Sequence, residues 1–298
     1  MQIECDLVMH DLKLLFLKSS FGSRSISKES RSSLASAPGR FDRAVRGLAV
    51  VLLCLSSSVP VAAAGRYLSV DIADPAPKTP DKTFVYHWDA PGQHFLLFIP
   101  GGEGAAQADS VPLHRGLATL ADESKTRGRI AVGIFESPYR MPYGSGFPTA
   151  RTSQDHLRRI ESVVTHFRNS TGKQVWIMGH SMGGVSVSEF QKYLEKNNKQ
   201  DLIGGVIYSN GFSRSEFGRD IQIPVLFLQH EKDRCSGSQA RDNRRVYDAV
   251  QRRSKSVVEF KPITSGLNVG NEPCDSGHHM YEGSLDDVAR EIDQFILR

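Results

Sequence analysis

The sequence has no surplus of charge to work with. Lys and Arg number 37 against 33 Asp and Glu over 298 residues, and the first 64 residues hold 8 of those bases and 5 of those acids, leaving 29 against 28 for the rest. A balance of +1 beyond residue 64 gives no basic field, and zinc-finger spacing and basic heptads are missing, so no nucleic-acid partner is expected. No repeat of about 20 to 50 residues recurs, and no Pro/Gly-rich linker divides residues 83–298. Cysteine is scarce: four in all, at 5, 54, 235 and 274. What remains is length for one large core and not for three domains, which implies a single enzyme-sized domain.

Residues 19–36 hold nine Ser among eighteen positions with few large apolar groups, a composition that cannot offset the entropy of ordering and reads as disordered. Arg40, Arg43 and Arg46 then precede the apolar run Gly47 to Leu55, three serines, and Val61-Ala62-Ala63-Ala64. A basic region, a short apolar region and an Ala-x-Ala site read as a signal peptide over 40–64, cut after Ala64, with a periplasmic or secreted product. The rival reading is a membrane anchor, but a span needs about 20 predominantly apolar residues and this stretch is broken by serines and Pro60. Leu52-Leu53 before Cys54 does not suit a lipoprotein cysteine. A basic region starting at residue 40, with no Met between Met9 and Met141, makes residues 1–39 an expected extension upstream of a non-ATG start.

The mature chain retains Cys235 and Cys274, and a single pair in an oxidising compartment most economically forms one disulfide. Residues 65–82 read as an N-terminal strand and a linker around Asp74-Pro75-Ala76-Pro77. Over 83–298, short apolar runs alternate with longer amphipathic ones. Strands are expected at Thr83–Trp88, His94–Ile99, Ile130–Glu136, Gln174–Met178, Leu202–Ser209, Pro224–Gln229 and Ser256–Lys261. Several are continuously apolar, as in strands buried on both faces. Leu157, Ile160, Val163, Val164 and Phe167 recur at helical spacing behind a capping box of Thr152 and Asp155, and Leu285 to Ile296 repeats the pattern at the end of the chain.

One of these strands, Gln174–Met178, runs straight into Gly179-His180-Ser181-Met182-Gly183-Gly184, followed by the helix-compatible Val185–Glu195. A serine on such a tight turn has its hydroxyl lifted above the strand ends, and side chains two positions either side would strike neighbouring backbone; Gly179 and Gly183 have none. The bland alternative for Ser181 is a small-residue helix start under a loop. His180 reads as a structural or pocket-lining residue. A nucleophilic serine needs a base, and the base a carboxylate to hold its tautomer. The loop after strand Pro224–Gln229 offers Asp233, with Glu231 and the more distant Asp275 as rivals. The loop before the last helix offers His278 and His279, which spacing alone does not separate.

These residues resemble the α/β-hydrolase fold family over about 83–298, in outline its compact dienelactone-hydrolase-like and esterase-like members. The resemblance rests on Gly179-His180-Ser181-Met182-Gly183, Asp233 and His279 in family order. In relatives the loop histidine is often followed by Gly, an aromatic, any residue and Gly; His279-Met280-Tyr281-Glu282-Gly283 keeps that frame except at Met280, which favours His279 over His278. The resemblance implies a mainly parallel sheet with helices on both faces. Its oxyanion donors would be the amide of Met182 and a loop amide after strand His94–Ile99, Gly102 ahead of Glu103. It also implies acyl transfer to water from a small-molecule acyl substrate, most simply an ester, with no cofactor or metal. Peptidase, thioesterase, lactonase and transferase chemistry would use the same site, and an inactive binding protein would keep the same fold.

Residues 210–222 leave no room for a large cap; Tyr139, Met141, Tyr143 and Phe147, with Phe212 and Phe217, are candidates for an apolar pocket wall or for plain packing under loops. A bonded Cys235–Cys274 pair would tie the loop of Asp233 to that of His279. The competing use of Cys235, Cys274, His278 and His279 as zinc ligands would take the histidine that Ser181 needs.

Overall fold

The sheet is built by strands that are apolar on both sides. In the strand His94–Ile99 all residues but the first are buried, Phe95, Leu97 and Ile99 in one core layer and Leu96 and Phe98 in the other. The computed structural model describes residues 64–102, 104–122, 130–136, 138, 147–275 and 277–298. Among them eight strands form one sheet: β1 (Arg66–Asp71), β2 (Lys82–Trp88), β3 (His94–Ile99), β4 (Ile130–Phe135), β5 (Gln174–His180), β6 (Gly205–Ser209), β7 (Val225–His230) and β8 (Val258–Ile263). Their order is β1-β2-β4-β3-β5-β6-β7-β8. The β1–β2 and β2–β4 pairs are antiparallel and every other pair is parallel.

The helices are α1 (Pro112–Ala118), α2 (Phe147–Arg151), α3 (Gln154–Thr171), α4 (Gly183–Lys196), α5 (Ala240–Gln251) and α6 (Leu285–Ile296). Leu157, Ile160 and Val164 of α3, Phe190 and Leu194 of α4, and Val246 and Val250 of α5 join one layer. Leu113 and Leu117 of α1 and Val288, Ile292 and Phe295 of α6 join the other. Each fully buried large aliphatic or aromatic side chain contributes roughly 1.5–3 kcal/mol, so the two apolar layers carry the stability of this arrangement. The order β4-β3-β5 sends the chain leaving β3 to one side and the chain leaving β5 to the other. Such a reversal opens a crevice at the carboxyl ends of those two strands.

The strands expected from sequence are present, with shifted ends. The strand expected from Leu202 begins only at Gly205, because residues 200–202 close a 3-10 turn in which the Ile203 N–H donates to the Gln200 carbonyl. The capping box expected of Thr152 and Asp155 does not form, and the cap falls one residue later. Ser153 caps α3, its hydroxyl accepting from the His156 N–H, while Thr152 donates to the Thr149 carbonyl and Asp155 pairs with Arg159. α1, α2 and α5 are additions to the sequence reading. Residues 210–224 join β6 to β7 with no helix of their own, so no cap is inserted there.

His156, on the buried face of α3, meets the Ser186 hydroxyl of α4 through Nε2 at 2.9 Å. Burial first, then the charges of Arg151 and Arg159, hold its ring well below the usual 6.5. The unfolded chain binds a proton here below about pH 6.5 and the folded chain does not, so stability is complete above that pH and falls as the pH drops. The slope approaches about 1.4 kcal/mol per pH unit for one such ring. His156→Gln is expected to flatten the fall in Tm between about pH 6.5 and 5 measured by thermal denaturation; an unaltered slope would count against this assignment.

Candidate active site

β5 ends at His180 and the backbone reverses at Ser181, whose φ of 53° is a conformation few non-glycine residues adopt. Three backbone bonds hold the turn: the Ser181 N–H donates to the Ser209 carbonyl at 3.1 Å, and the Ser181 carbonyl accepts from Phe212 at 3.0 Å and Gly184 at 2.9 Å. The expected steric reason for the flanking glycines is borne out. A Cβ at Gly179 would lie 2.3 Å from the Gly183 carbonyl oxygen, and one at Gly183 would lie 1.9 Å from that of Ile99. Met182 caps α4.

Asp233, in the turn after β7, and His279, in the loop before α6, meet through Oδ2 and Nδ1 at 2.8 Å with both side chains fully buried. The other oxygen of Asp233 accepts the Cys235 N–H at 2.8 Å. An ionised carboxylate only accepts, so the proton of this contact sits on His279 Nδ1 and the Nε2 lone pair is left available. Among the described residues that Nε2 is buried without a hydrogen-bond partner. His279 and Ser181 line the same cavity of about 480 Å³, together with Gly101, Gly102 and His180. Among the rivals, Glu231 and Asp275 are exposed. His278 stacks on His230, ring centroids 4.3 Å apart. A larger hollow of about 910 Å³, floored by Trp176, Gly204 and Phe295, lies at the amino ends of the strands and holds none of these three residues.

Buried polar residues fix the two loops. Asn210, at the end of β6, accepts the His230 N–H through Oδ1 at 2.7 Å and donates through Nδ2 to the His279 carbonyl at 2.8 Å. It thus ties the strand end that carries Asp233 to the loop that carries His279. Ser209 Oγ donates to the Tyr281 hydroxyl and that hydroxyl donates to the Leu228 carbonyl, both at 3.0 Å. With both hydroxyl protons so placed, His180 Nδ1 must be the donor to Ser209 Oγ at 3.3 Å. Burial, with smaller contributions from His279 and His114, holds the His180 ring well below the usual histidine value. A neutral ring therefore lies 4.9 Å from that of His279.

The loop after β3 lies against the serine turn: a Cβ at Gly101 would lie 2.7 Å from Ser181 Cβ and 3.1 Å from the Met182 nitrogen. Behind it sits Arg151, fully buried, with Nη2 donating to the Gly101 carbonyl at 2.7 Å and Nη1 to Ser186 Oγ at 3.0 Å. Sequence reasoning missed both Asn210 and Arg151, since no local pattern marks a polar side chain that will be buried. Of the two readings kept for the candidate wall residues, Phe217 follows plain packing. Phe98, Val111, Leu113 and Met280 line the cavity, whereas Phe217 packs in the core against Tyr208 and Phe227. A proline opening α1 at Pro112 was the available signal for the helix that brings Val111 and Leu113 here. Residues 1–63, which include the expected extension over 1–39 and all but the last residue of the signal peptide expected over 40–64, lie outside the described residues, as do Glu103, Tyr139, Met141, Tyr143 and the side chain of Phe147.

No protein-family profile and no curated protein matches the sequence. Among solved structures the chain is similar to an esterase of Pyrococcus furiosus, Pf2001, at 10% identity and a TM-score of 0.55, covering 78% of this chain and 92% of that one. It is also similar to the esterase Est22, at 16% identity and a TM-score of 0.52, covering 85% and 88%. A serine hydrolase without a lid from Xanthomonas campestris matches at 15% identity and a TM-score of 0.50, covering 78% and 94%. At these identities the likeness speaks for architecture, and with the strand order it gives the chain the α/β-hydrolase fold.

Cys235 and Cys274 form a disulfide across 39 positions, which takes both thiolates from the alternative zinc set. The bond anchors the far end of residues 264–275, which are exposed throughout, two positions from Asp233. Closing a loop of this length stabilises by about 4 kcal/mol on the chain-entropy model, often less in practice. Reduction is expected to raise hydrogen exchange in residues 264–275 at temperatures where the sheet stays protected. Two free thiols by mass spectrometry of untreated protein, or exchange that rises only with global unfolding, would refute this.

Proposed function

We propose that the chain is an exported serine hydrolase that cleaves carboxylic esters, with Ser181 as nucleophile, His279 as base and Asp233 as the carboxylate that holds it. The observation that carries this reading is the buried Nδ1–Oδ2 contact, which leaves His279 Nε2 without a partner in the cavity that Ser181 lines. Nε2 takes the Ser181 proton as Oγ attacks the acyl carbon, and the imidazolium is stabilised by Asp233. The carbonyl oxygen, now anionic, is received by the amides of Gly102 and Met182, the latter at the amino end of α4 where the helix dipole favours negative charge. Collapse of the tetrahedral intermediate expels the alcohol, which takes the proton from His279. A water deprotonated by the same ring then attacks the acyl-enzyme and releases the acid. Ser181 Oγ and His279 Nε2 are not hydrogen-bonded in this structure, and serine-to-histidine contacts of this kind often tighten only when substrate occupies the site. The neutral His180 ring beside His279 spares the imidazolium a like-charge neighbour.

A cavity of about 480 Å³, with no cap inserted between β6 and β7, suits a small acyl substrate. Esters are favoured over peptides by the similarity to two esterases, one of which, Est22, has been seen with p-nitrophenol. Export after cleavage behind Ala64 is supported by the disulfide, which an oxidising compartment sustains. Among the described residues no helix is long and apolar enough to cross a membrane.

A fluorophosphonate probe is expected to label Ser181 and to leave Ser181→Ala unlabelled, with p-nitrophenyl ester turnover lost by at least about 10³-fold in that variant and in His279→Gln. His278→Gln should retain turnover within about tenfold. Folded protein that resists the probe and turns over no ester would instead indicate a binding protein on this fold. Labelling with turnover confined to thioesters or peptides would reassign the substrate.

A further inference from the structure

The geometry points to Arg151 as a positioning residue that sets the oxyanion hole by joining its two halves, an inference that rests on the reading of Gly102 and Met182 as the donors. One half belongs to the loop after β3 and the other to the start of α4, elements that share no covalent connection shorter than the run from 102 to 182. A single guanidinium spans them, Nη2 on the Gly101 carbonyl at 2.7 Å and Nη1 on the Ser186 hydroxyl of α4 at 3.0 Å.

The peptide plane converts this anchoring into a direction. In a trans peptide the C=O of Gly101 and the N–H of Gly102 point to opposite sides, and the chain has no cis bond among the described residues. Gly101 and Gly102 line the cavity, whereas Arg151 is fully buried and does not. A carbonyl held from behind by Arg151 therefore turns the Gly102 N–H toward the cavity side. With glycine at both positions no side chain sets the peptide's orientation, which is left to contacts such as this one.

The fork matters as much as the charge, because the rigid plane of a guanidinium fixes two acceptors at one spacing. Ser186 is itself fixed, its Oγ meeting His156 Nε2 at 2.9 Å, so the α4 end of the bridge does not drift. Burial lowers the guanidinium to about 9, which keeps it protonated at neutral pH. A positive charge thus stands behind the loop on which the negative charge of the intermediate develops.

The test compares wild type, Arg151→Met and Arg151→Lys with p-nitrophenyl acetate. Rates are normalised to the serine titrated by fluorophosphonate and read well below each variant's own Tm. Arg151→Met should lower kcat roughly 30-fold with KM within about twofold, short of the ~10²–10³ that loss of a whole donor costs. Its affinity for phenylboronic acid, whose serine adduct is tetrahedral and anionic, should weaken in parallel. Arg151→Lys should fall between the two, since one ammonium cannot span both oxygens in the geometry of the fork. If Arg151→Met does not fold, Arg151→Lys carries the test. An unchanged kcat in a folded variant, or a loss confined to KM with boronate affinity intact, overturns the proposal. A wild-type protein that neither labels nor turns over ester would defeat the underlying reading and not this assignment alone.

Discussion

The contact between Asp233 and His279 joins groups 46 positions apart at zero exposure, and much of the surrounding polar structure is explained by what it requires. A buried carboxylate is costly unless its oxygens are occupied. Here Oδ2 meets the imidazole and Oδ1 accepts the Cys235 amide. The partner loop must then be held at the same depth, and it is held by buried polar groups whose own desolvation is offset by further bonds: Asn210 on the His279 carbonyl, and Tyr281 between Ser209 and Leu228. Each of these supports would be a liability alone. Together they hold the His279 ring with its Nε2 buried and, among the described residues, without a hydrogen-bond partner; His180 Nε2 close by is in the same position, so it is the carboxylate on Nδ1 that sets His279 apart.

The parts of this arrangement that were legible in the sequence are those encoded by local sterics. The apolar runs of β3, β4, β5 and β7 announce strands buried on both sides because each is only four to six residues long, too short for a helix of ordinary length, and is bounded by polar or turn residues. The glycines at 179 and 183 announce the serine turn because the backbone contacts there leave no room for a Cβ. Strand order adds the rest: once β5 and β7 lie in one parallel sheet, the loops at their carboxyl ends share a rim, and Ser181 and Asp233 come together without any sequence signal that names them as neighbours.

What the sequence withheld was set by partners distant along the chain. α5 buries only Asn243, Val246, Tyr247 and Val250 in a run thick with Arg and Asp, so its pattern is faint. Asn210 looks like any turn residue, and its αL backbone, with φ of 36°, is common for asparagine. Its importance lies in His230 and His279, which no window around it contains. Arg151 carries a charge that composition assigns to the surface, and its burial becomes intelligible through acceptors far along the chain, among them the carbonyl of Gly101, 50 positions away. The choice between His278 and His279 was similarly beyond spacing alone. Tertiary structure separates them by giving one a carboxylate and the other the face of His230.

The disulfide follows the same division between core and site. Two apolar layers already secure the sheet, and neither cysteine is needed to complete them. Cys274 instead lies at the end of a segment exposed from 264 to 275, whose attachment elsewhere includes the Leu267 N–H on the Glu282 carbonyl. Cys235 supplies the amide that holds Asp233 Oδ1. A crosslink placed here restrains the backbone on both sides of the acid–base contact, while the helices packed on the sheet are untouched by it. Its value is therefore local, in limiting how far the carboxylate and the imidazole can part, and that geometry, more than the entropy of a closed loop, accounts for a single covalent staple at this edge of the sheet.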